Sequence, residues 1–292
     1  MGSAPAKGIE RVVLGTVQFG LAYGRQASGD VPNRDHCFAV LDAAWSRGIR
    51  AFDTAEAYGD AAGRLSDWIA SRGVSASCHV VTKVAARCVA DPEAVSHAVG
   101  RFSCVASCTV MTHGAVDVDA FAAFRHSAER MGALPGASVY EAHEVVAMAG
   151  AGALRIQAPF NVFDTRQRDA ARRCGVPIDG RSVFLQGVLL EHPKHAEERA
   201  PGAGRMAEVV QRVATAAGIP PAVMLLGWAV RDLGQHDRVV VGVDRPEELE
   251  AIVSAVSLDA SEFLGVTHAL AHELGAWIPD QRSLDPRAWR SP

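Results

Sequence analysis

Short, β-branched apolar runs return eight times along this chain, and longer amphipathic segments separate them. The runs are VVLGT (12–16), AFDTA (51–55), HVVTKV (79–84), CTVMTH (108–113), GASV (136–139), LRIQAPF (154–160), GRSVF (180–184) and RVVVGV (238–243). Between them the spacing predicts helices over 33 or 35 to 48, 61–71, 91–102, 118–131, 141–149, 165–174, 206–217, 221–232 and 246–256. Asn33 or Asp35 is a candidate cap, and Asp91-Pro92-Glu93 is an N-cap followed by proline and an acidic first turn. The stretch between 184 and 206, with Pro193, Pro201 and several glycines, is expected to be a long loop. Parallel strands need crossover connections, and a βα unit of roughly 30 residues supplies them. Eight such units predict an α/β protein, a (β/α)8 or TIM barrel. A doubly wound open sheet is the rival. Polar residues recur at the ends of strands two, three, four, six and seven, which one switch-point crevice does not require, so the barrel is preferred.

At 292 residues and 49% hydrophobic, the chain can bury one large core, so a single domain over 1–292 is expected. A last helix over 261–276 and the Pro/Arg-rich tail, from about 259 onward, fall outside the barrel count. A net charge of −4 argues against nucleic-acid or membrane-surface partners. No apolar run approaches the roughly 20 residues that cross a bilayer. The opening MGSAPAKG has no apolar h-region, so a cytoplasmic location is expected. The six cysteines, Cys37, Cys78, Cys88, Cys104, Cys108 and Cys174, are scattered and read as reduced thiols. Cys104 and Cys108 have no matching second pair, so they read as core residues and no metal site is expected.

The chemistry gathers around IRAFDTAEAYGD (49–60). Ile49, Ala51 and Phe52 lead into Asp53, a carboxylate at the end of a buried strand. Tyr58 follows, and Gly59 closes the turn. A carboxylate so placed has little water and needs a cationic or hydrogen-bonding partner. Strand three carries Lys83 near its end, and strand four ends on His113. Three successive strands that finish on ionisable groups make a site at one rim of a barrel. Singly, each residue has a structural explanation: a packed tyrosine, a satisfied histidine, a buried ion pair. Together they point to function.

These residues resemble a known family. DTAEAYG is similar to the DTAxxYG signature of aldo-keto reductases, and the VTK ending on Lys83 and MTHG carrying His113 follow in the family's order. LGTVQFG, QAPFNVFDTR, RSVFLQGVLL and VVVGVDRPEELE resemble its first, sixth, seventh and eighth strand regions. The likeness spans about residues 10–256, and RSVFLQG looks like the branch of bacterial sugar-modifying enzymes.

The resemblance implies a tetrad of Asp53, Tyr58, Lys83 and His113. Hydride addition to a carbonyl develops an alkoxide, which needs a proton donor and electrostatic support. Tyr58 would be the donor, Lys83 would lower its pKa, Asp53 would hold Lys83, and His113 would orient the carbonyl or relay the proton. The implied cofactor is NADPH, with NADH as the alternative. Its binding residues would be Gly15, Thr16, Asp53, Ser138, Gln157, Arg181, Ser182, Phe184, Gln186, Gly242, Asp244, Arg245 and Glu248. Val139 stands where the family has asparagine, and Arg181 where it stacks an aromatic ring on the nicotinamide; a guanidinium can also stack. Glu248 replaces the arginine that clamps the 2′-phosphate, with Arg245 nearby to compensate. Phe19, Tyr23, Tyr58, His113 and Asn161 are the substrate candidates. The short loop after His113 implies an open pocket for an aldehyde or ketone of a sugar. A nicotinamide-binding regulatory module, or a lyase or isomerase built on the Asp53–Lys83 pair, are the competing functions.

Overall fold

In the computed structural model, which describes residues 6–23, 30–275 and 279–289, eight parallel strands close into a barrel in sequence order. The strands are β1 (Val12–Gly15), β2 (Ala51–Asp53), β3 (His79–Ala85), β4 (Ser107–His113), β5 (Leu134–Ser138), β6 (Arg155–Pro159), β7 (Ile178–Arg181) and β8 (Arg238–Gly242). The crossover helices are α1 (Arg34–Ser46), α2 (Ala61–Arg72), α3 (Pro92–Gly100), α4 (Val118–Arg130), α5 (Ala142–Gly150) and α6 (Arg166–Cys174). After β7 come α7 (Pro193–Arg199), α8 (Ala203–Ala217) and α9 (Pro221–Asp232), and after β8 come α10 (Leu249–Ser257), α11 (Ala260–Gly275) and α12 (Gln281–Leu284). Among the described residues no single helix is long and apolar enough to cross a membrane.

The helices start where short polar side chains satisfy their first free N–H groups. Asn33 accepts from His36 N, Asp91 from Glu93 N and Asp117 from Ala120 N. Glu141 and Glu144 form a capping box at α5. The main apolar core lies between the strands and these helices, with Trp68, Phe52, Phe121 and Phe124 fully buried. Burying side chains of that size stabilises by roughly 1.5–3 kcal/mol each, before entropy is counted. Inside the barrel, Val13, Ala51 and Val240 make a separate small apolar cluster. Above and below that layer the interior is polar.

Four elements depart from the sequence expectations. β7 runs over Ile178–Arg181, not 180–184, because Ser182, Leu185 and Gln186 adopt φ of 63°, 50° and 55°. Such left-handed backbone cannot continue a strand. The expected long loop holds α7, which starts on Pro193 with His192 accepting from Lys194 N. The helix expected over 246–256 opens as a 3-10 turn, Pro246–Glu248, before α10. The tail is not peripheral: Leu284 and Ser283 are buried, and the Ser283 hydroxyl donates to Pro201 O at 2.5 Å. Of the paired cysteines read as core, Cys108 is buried but Cys104 is exposed, and the described cysteines are free thiols.

Candidate active site

Strand register carries the polar residues to one rim. Gly15 pairs with Asp53, Ala85 with His113, His113 with Ser138, Ser138 with Gln157 and Pro159 with Arg181. These are the C-terminal ends of parallel strands, where a barrel builds its sites.

Lys83 is the centre. Its Nζ donates to both Asp53 oxygens, at 2.6 and 2.7 Å, and to Thr54 O at 3.0 Å. Asp53 Oδ1 also accepts from Gln157 Nε2 at 2.7 Å, and Ser138 Oγ lies 3.4 Å from Gln157 Oε1. The side chains of Lys83 and Asp53 are 0% and 5% exposed, so their charges have little water and answer to each other. Burial alone would lower the Lys83 pKa, but Asp53 and Tyr58 outweigh it and leave the ammonium above its ordinary value.

Tyr58 stands on the turn between β2 and α2, with Lys83 Nζ 5.1 Å from its ring centroid. The turn is clamped by backbone contact: a Cβ on Gly20 would meet Tyr58 O at 1.9 Å, and one on Gly59, at φ +54°, would meet Gly20 O at 2.5 Å. Two glycines therefore let the β1 and β2 loops touch and fix the phenol. Burial raises the Tyr58 pKa, and the pull of Lys83 only partly offsets it. The expected lowering is thus present but is outweighed, because the ring is enclosed. The phenol holds its proton at neutral pH.

The His113 ring meets Tyr58 edge-on, at 5.8 Å between centroids and 84° between planes. Burial, then Lys83 and Arg181, lower its pKa to about 4, so the imidazole is neutral above that pH.

From this centre a cleft of ≈ 270 Å³ runs along β1, β7 and β8. Of the residues proposed for a cofactor, Gly15, Asp53, Gln157, Arg181, Ser182, Phe184, Gln186, Gly242, Asp244 and Glu248 line it. Tyr23 and Tyr58 line it as well. Burial pushes the Tyr23 phenol up to about 12. Other candidates lie elsewhere. Thr16 is buried and gives its hydroxyl to Asp53 O at 2.9 Å, tying β1 to β2. Ser138 is buried behind Gln157. Phe19 and Arg245 line a neighbouring pocket of ≈ 350 Å³. Asn161 is fully buried, bridges to Asp164 and uses its Oδ1 to cap Phe163 N at 2.9 Å.

Two departures bear on the cofactor residues. Arg181 lays its guanidinium over Tyr140 at 4.2 Å and donates to Val139 O at 3.1 Å. Arg287, from the tail, covers Tyr140 as well, at 3.8 Å. Glu248 Oε2 accepts from Asp244 N at 2.8 Å, and its Oε1 lies 3.5 Å from Arg245. Arg245 therefore pairs with the carboxylate it was expected to oppose.

Several lining residues were not anticipated. Gln18 covers Gly242, where a Cβ would meet its Nε2 at 2.4 Å, and its buried Oε1 has no hydrogen-bond partner. Ala222 and Leu226, one turn apart on α9, and Ile252 of α10 form the apolar wall at the far end. Only the apolar spacing of those helices hinted at this, and it reads equally as core.

The comparisons with known proteins follow the same lines. No curated protein sequence matches. Among solved structures, the glycerol dehydrogenase of Gluconobacter oxydans superposes with a TM-score of 0.69 at 18% identity, covering 93% of this chain and 96% of that one. An aldo-keto reductase of Bacillus halodurans, solved in its holo form, gives 0.67 at 15% identity over 89% and 91%. An aldo/keto reductase of Brucella melitensis gives 0.63 at 12% identity over 92% and 99%. At such identities the likeness is one of fold. The profile of the aldo/keto reductase family matches residues 11–122, the segment that holds Asp53, Tyr58, Lys83 and His113.

Proposed function

We propose that this chain uses NAD(P)H to reduce an aldehyde or ketone, that of a sugar or sugar-derived metabolite, with Tyr58 as proton donor. The observation that carries the reading is the buried Asp53–Lys83 pair set beside a protonated Tyr58 at the inner end of a long cleft.

The cleft suits a dinucleotide. Ser182, Leu185, Gln186 and Gly187 hold positive φ in one turn, and three of them are not glycine. Backbone held in that region costs about 1–3 kcal/mol per residue and clusters at ligand sites. Left-handed turns aim successive N–H groups into a concavity that takes anions, here the pyrophosphate. Gln157 would hold the carboxamide, with Ser138 behind it. Asp244, Arg245 and Glu248 would meet the adenosine. When bound, the nicotinamide supplies the hydride. Tyr58 holds the proton at its Oη and releases it as negative charge grows on the carbonyl oxygen. Lys83 stabilises the phenolate left behind, and Asp53 with Thr54 O keeps Lys83 in place. Neutral His113 donates an N–H to the carbonyl oxygen and orients it. The polar rim and the hydroxyl-bearing lining support a sugar-like substrate.

The pH profile of kcat/KM follows from the shifted groups. His113 stays neutral above about 4. Tyr58 stays protonated to above its ordinary value near 10. Reduction should therefore run on a plateau across neutral pH, with no inflection near the ordinary histidine value of about 6.5. An inflection there that disappears in His113→Gln would mean that a charged imidazole takes part.

The cofactor test is a titration with NADPH and NADH, followed by turnover on a panel of sugar aldehydes and ketones. Binding of neither cofactor would sink the proposal. Glu248 repels a 2′-phosphate, and Arg245 attracts it. Glu248→Arg should tighten NADPH relative to NADH, and Arg245→Ala should do the reverse. Both groups are partly exposed, so each effect is about 1 kcal/mol or less. An unchanged ratio of dissociation constants in both variants would place the adenosine elsewhere.

A further inference from the structure

The opposite end of the barrel carries a second site. Below the Val13–Ala51–Val240 layer, at the N-terminal ends of the strands, lies a pocket of ≈ 440 Å³. Arg11, Arg50, Arg155 and Arg238 line it, with His79 and Asp237 among them. It lies across the barrel from the cleft that holds Tyr58, and the two share no lining residue.

The acids near this pocket are already engaged. Asp237 accepts from Ile178 N at 3.0 Å and from Gly234 N at 2.7 Å. Glu10 accepts from Gly8 N at 2.9 Å. Asp179, fully buried above the pocket, pairs with Arg155 at 2.8 Å. Among the described residues no ion pair holds Arg11, Arg50 or Arg238, although Asp237 and Glu10 act on Arg11 from a distance. Arg50 donates to Trp45 O at 2.7 Å and Ile49 O at 2.9 Å, with its face on the Trp45 ring. Arg11 donates to Leu233 O at 3.0 Å and Gly234 O at 2.7 Å. Arg238 senses Asp179 only at longer range, and among the described residues no ion pair holds it. Burial lowers the pKa of Arg11, Arg50 and Arg238, and the neighbouring groups do not restore it. Guanidinium groups do not give up their protons in proteins, so the charges of Arg11, Arg50, Arg155 and Arg238 face only Glu10, Asp237 and Asp179, and an excess of positive charge is held here. All four arginines are half-buried and border the pocket.

We propose that the barrel floor is a binding site for a small oxyanion of the phosphate type, held by Arg238 and Arg50 with Arg11 and Arg155 around it. A guanidinium presents paired N–H donors that match phosphate oxygens, and carbonyl-anchored arginines are already oriented. The site stands apart from the rim chemistry and does not depend on it.

The probe is inorganic phosphate, titrated calorimetrically into the full chain at fixed ionic strength, with and without saturating NADH and NADPH. Saturable binding at one site per chain is expected, unchanged by either nucleotide. Arg238→Gln should weaken it by roughly tenfold or more. Arg50→Gln, which leaves the Arg155–Asp179 pair intact, is the second variant should Arg238→Gln not fold. Weakening in either folded variant supports the site. Absence of saturable binding overturns it, as does displacement by the nucleotides, which would put the phosphate in the upper cleft. Full affinity retained in the folded variants overturns it too.

Discussion

Tyr58→Phe should lower the rate of carbonyl reduction by roughly 10²–10⁴-fold, because it deletes the proton donor and keeps the ring. The ring's packing against His113 and the Gly20–Gly59 clamp do not involve the hydroxyl. Folding and cofactor affinity should therefore stay close to those of the parent chain. The measurement is single-turnover reduction under conditions where chemistry limits, together with a cofactor titration of the same variant. If more than about a tenth of the rate survives, the acid lies elsewhere. The raised pKa of Tyr58 sharpens the expectation: a phenol that holds its proton tightly is in the donor form at neutral pH, and Lys83 is what makes its release affordable.

Asp53→Ala should be the most destabilising single change at the rim. It leaves the Lys83 ammonium buried with only the neutral partners Thr54 O and Tyr58, and it strips Gln157 of an acceptor. Breaking a buried pair from one side costs about 3–5 kcal/mol. Replacing both partners with apolar groups, as in Asp53→Leu with Lys83→Met, removes the stranded charge. That double variant should regain most of the loss in urea unfolding and remain inactive. Equal destabilisation of the single and double variants would mean that packing, not charge, is what Asp53 supplies. The comparison separates the two roles of the pair, since stability returns and catalysis does not.

Much of this was legible in the linear chain because it is local or periodic. Eight apolar runs with alternating helices determine a closed parallel barrel, and helix starts at Asn33, Asp91 and Asp117 follow from single polar side chains. Strand ends can be counted, so Asp53, Lys83 and His113 could be assigned to one rim before any coordinates. The resemblance then gave Tyr58 its role and suggested about half of the cleft lining.

Other features depend on contacts between distant segments, and only the tertiary structure decided them. GRSVF has the composition of a strand, yet β7 ends at Arg181 because the following residues turn left-handed along the cleft. Asn161 has the right chemistry for a substrate contact, but a tight turn with Asp164 buries it. Arg181 and Arg287 are far apart in sequence and cover the same Tyr140 ring. Whether Tyr58 titrates low or high depended on a balance between the Lys83 charge and enclosure by its surroundings, and enclosure prevails. The arginines of the floor come from β6, β8 and the segments before β1 and β2, and no spacing in the sequence announces that they meet. Residue type and periodicity determine which elements form and which strand ends are polar. Burial, and the charge balance that burial enforces, are set by where remote segments come together.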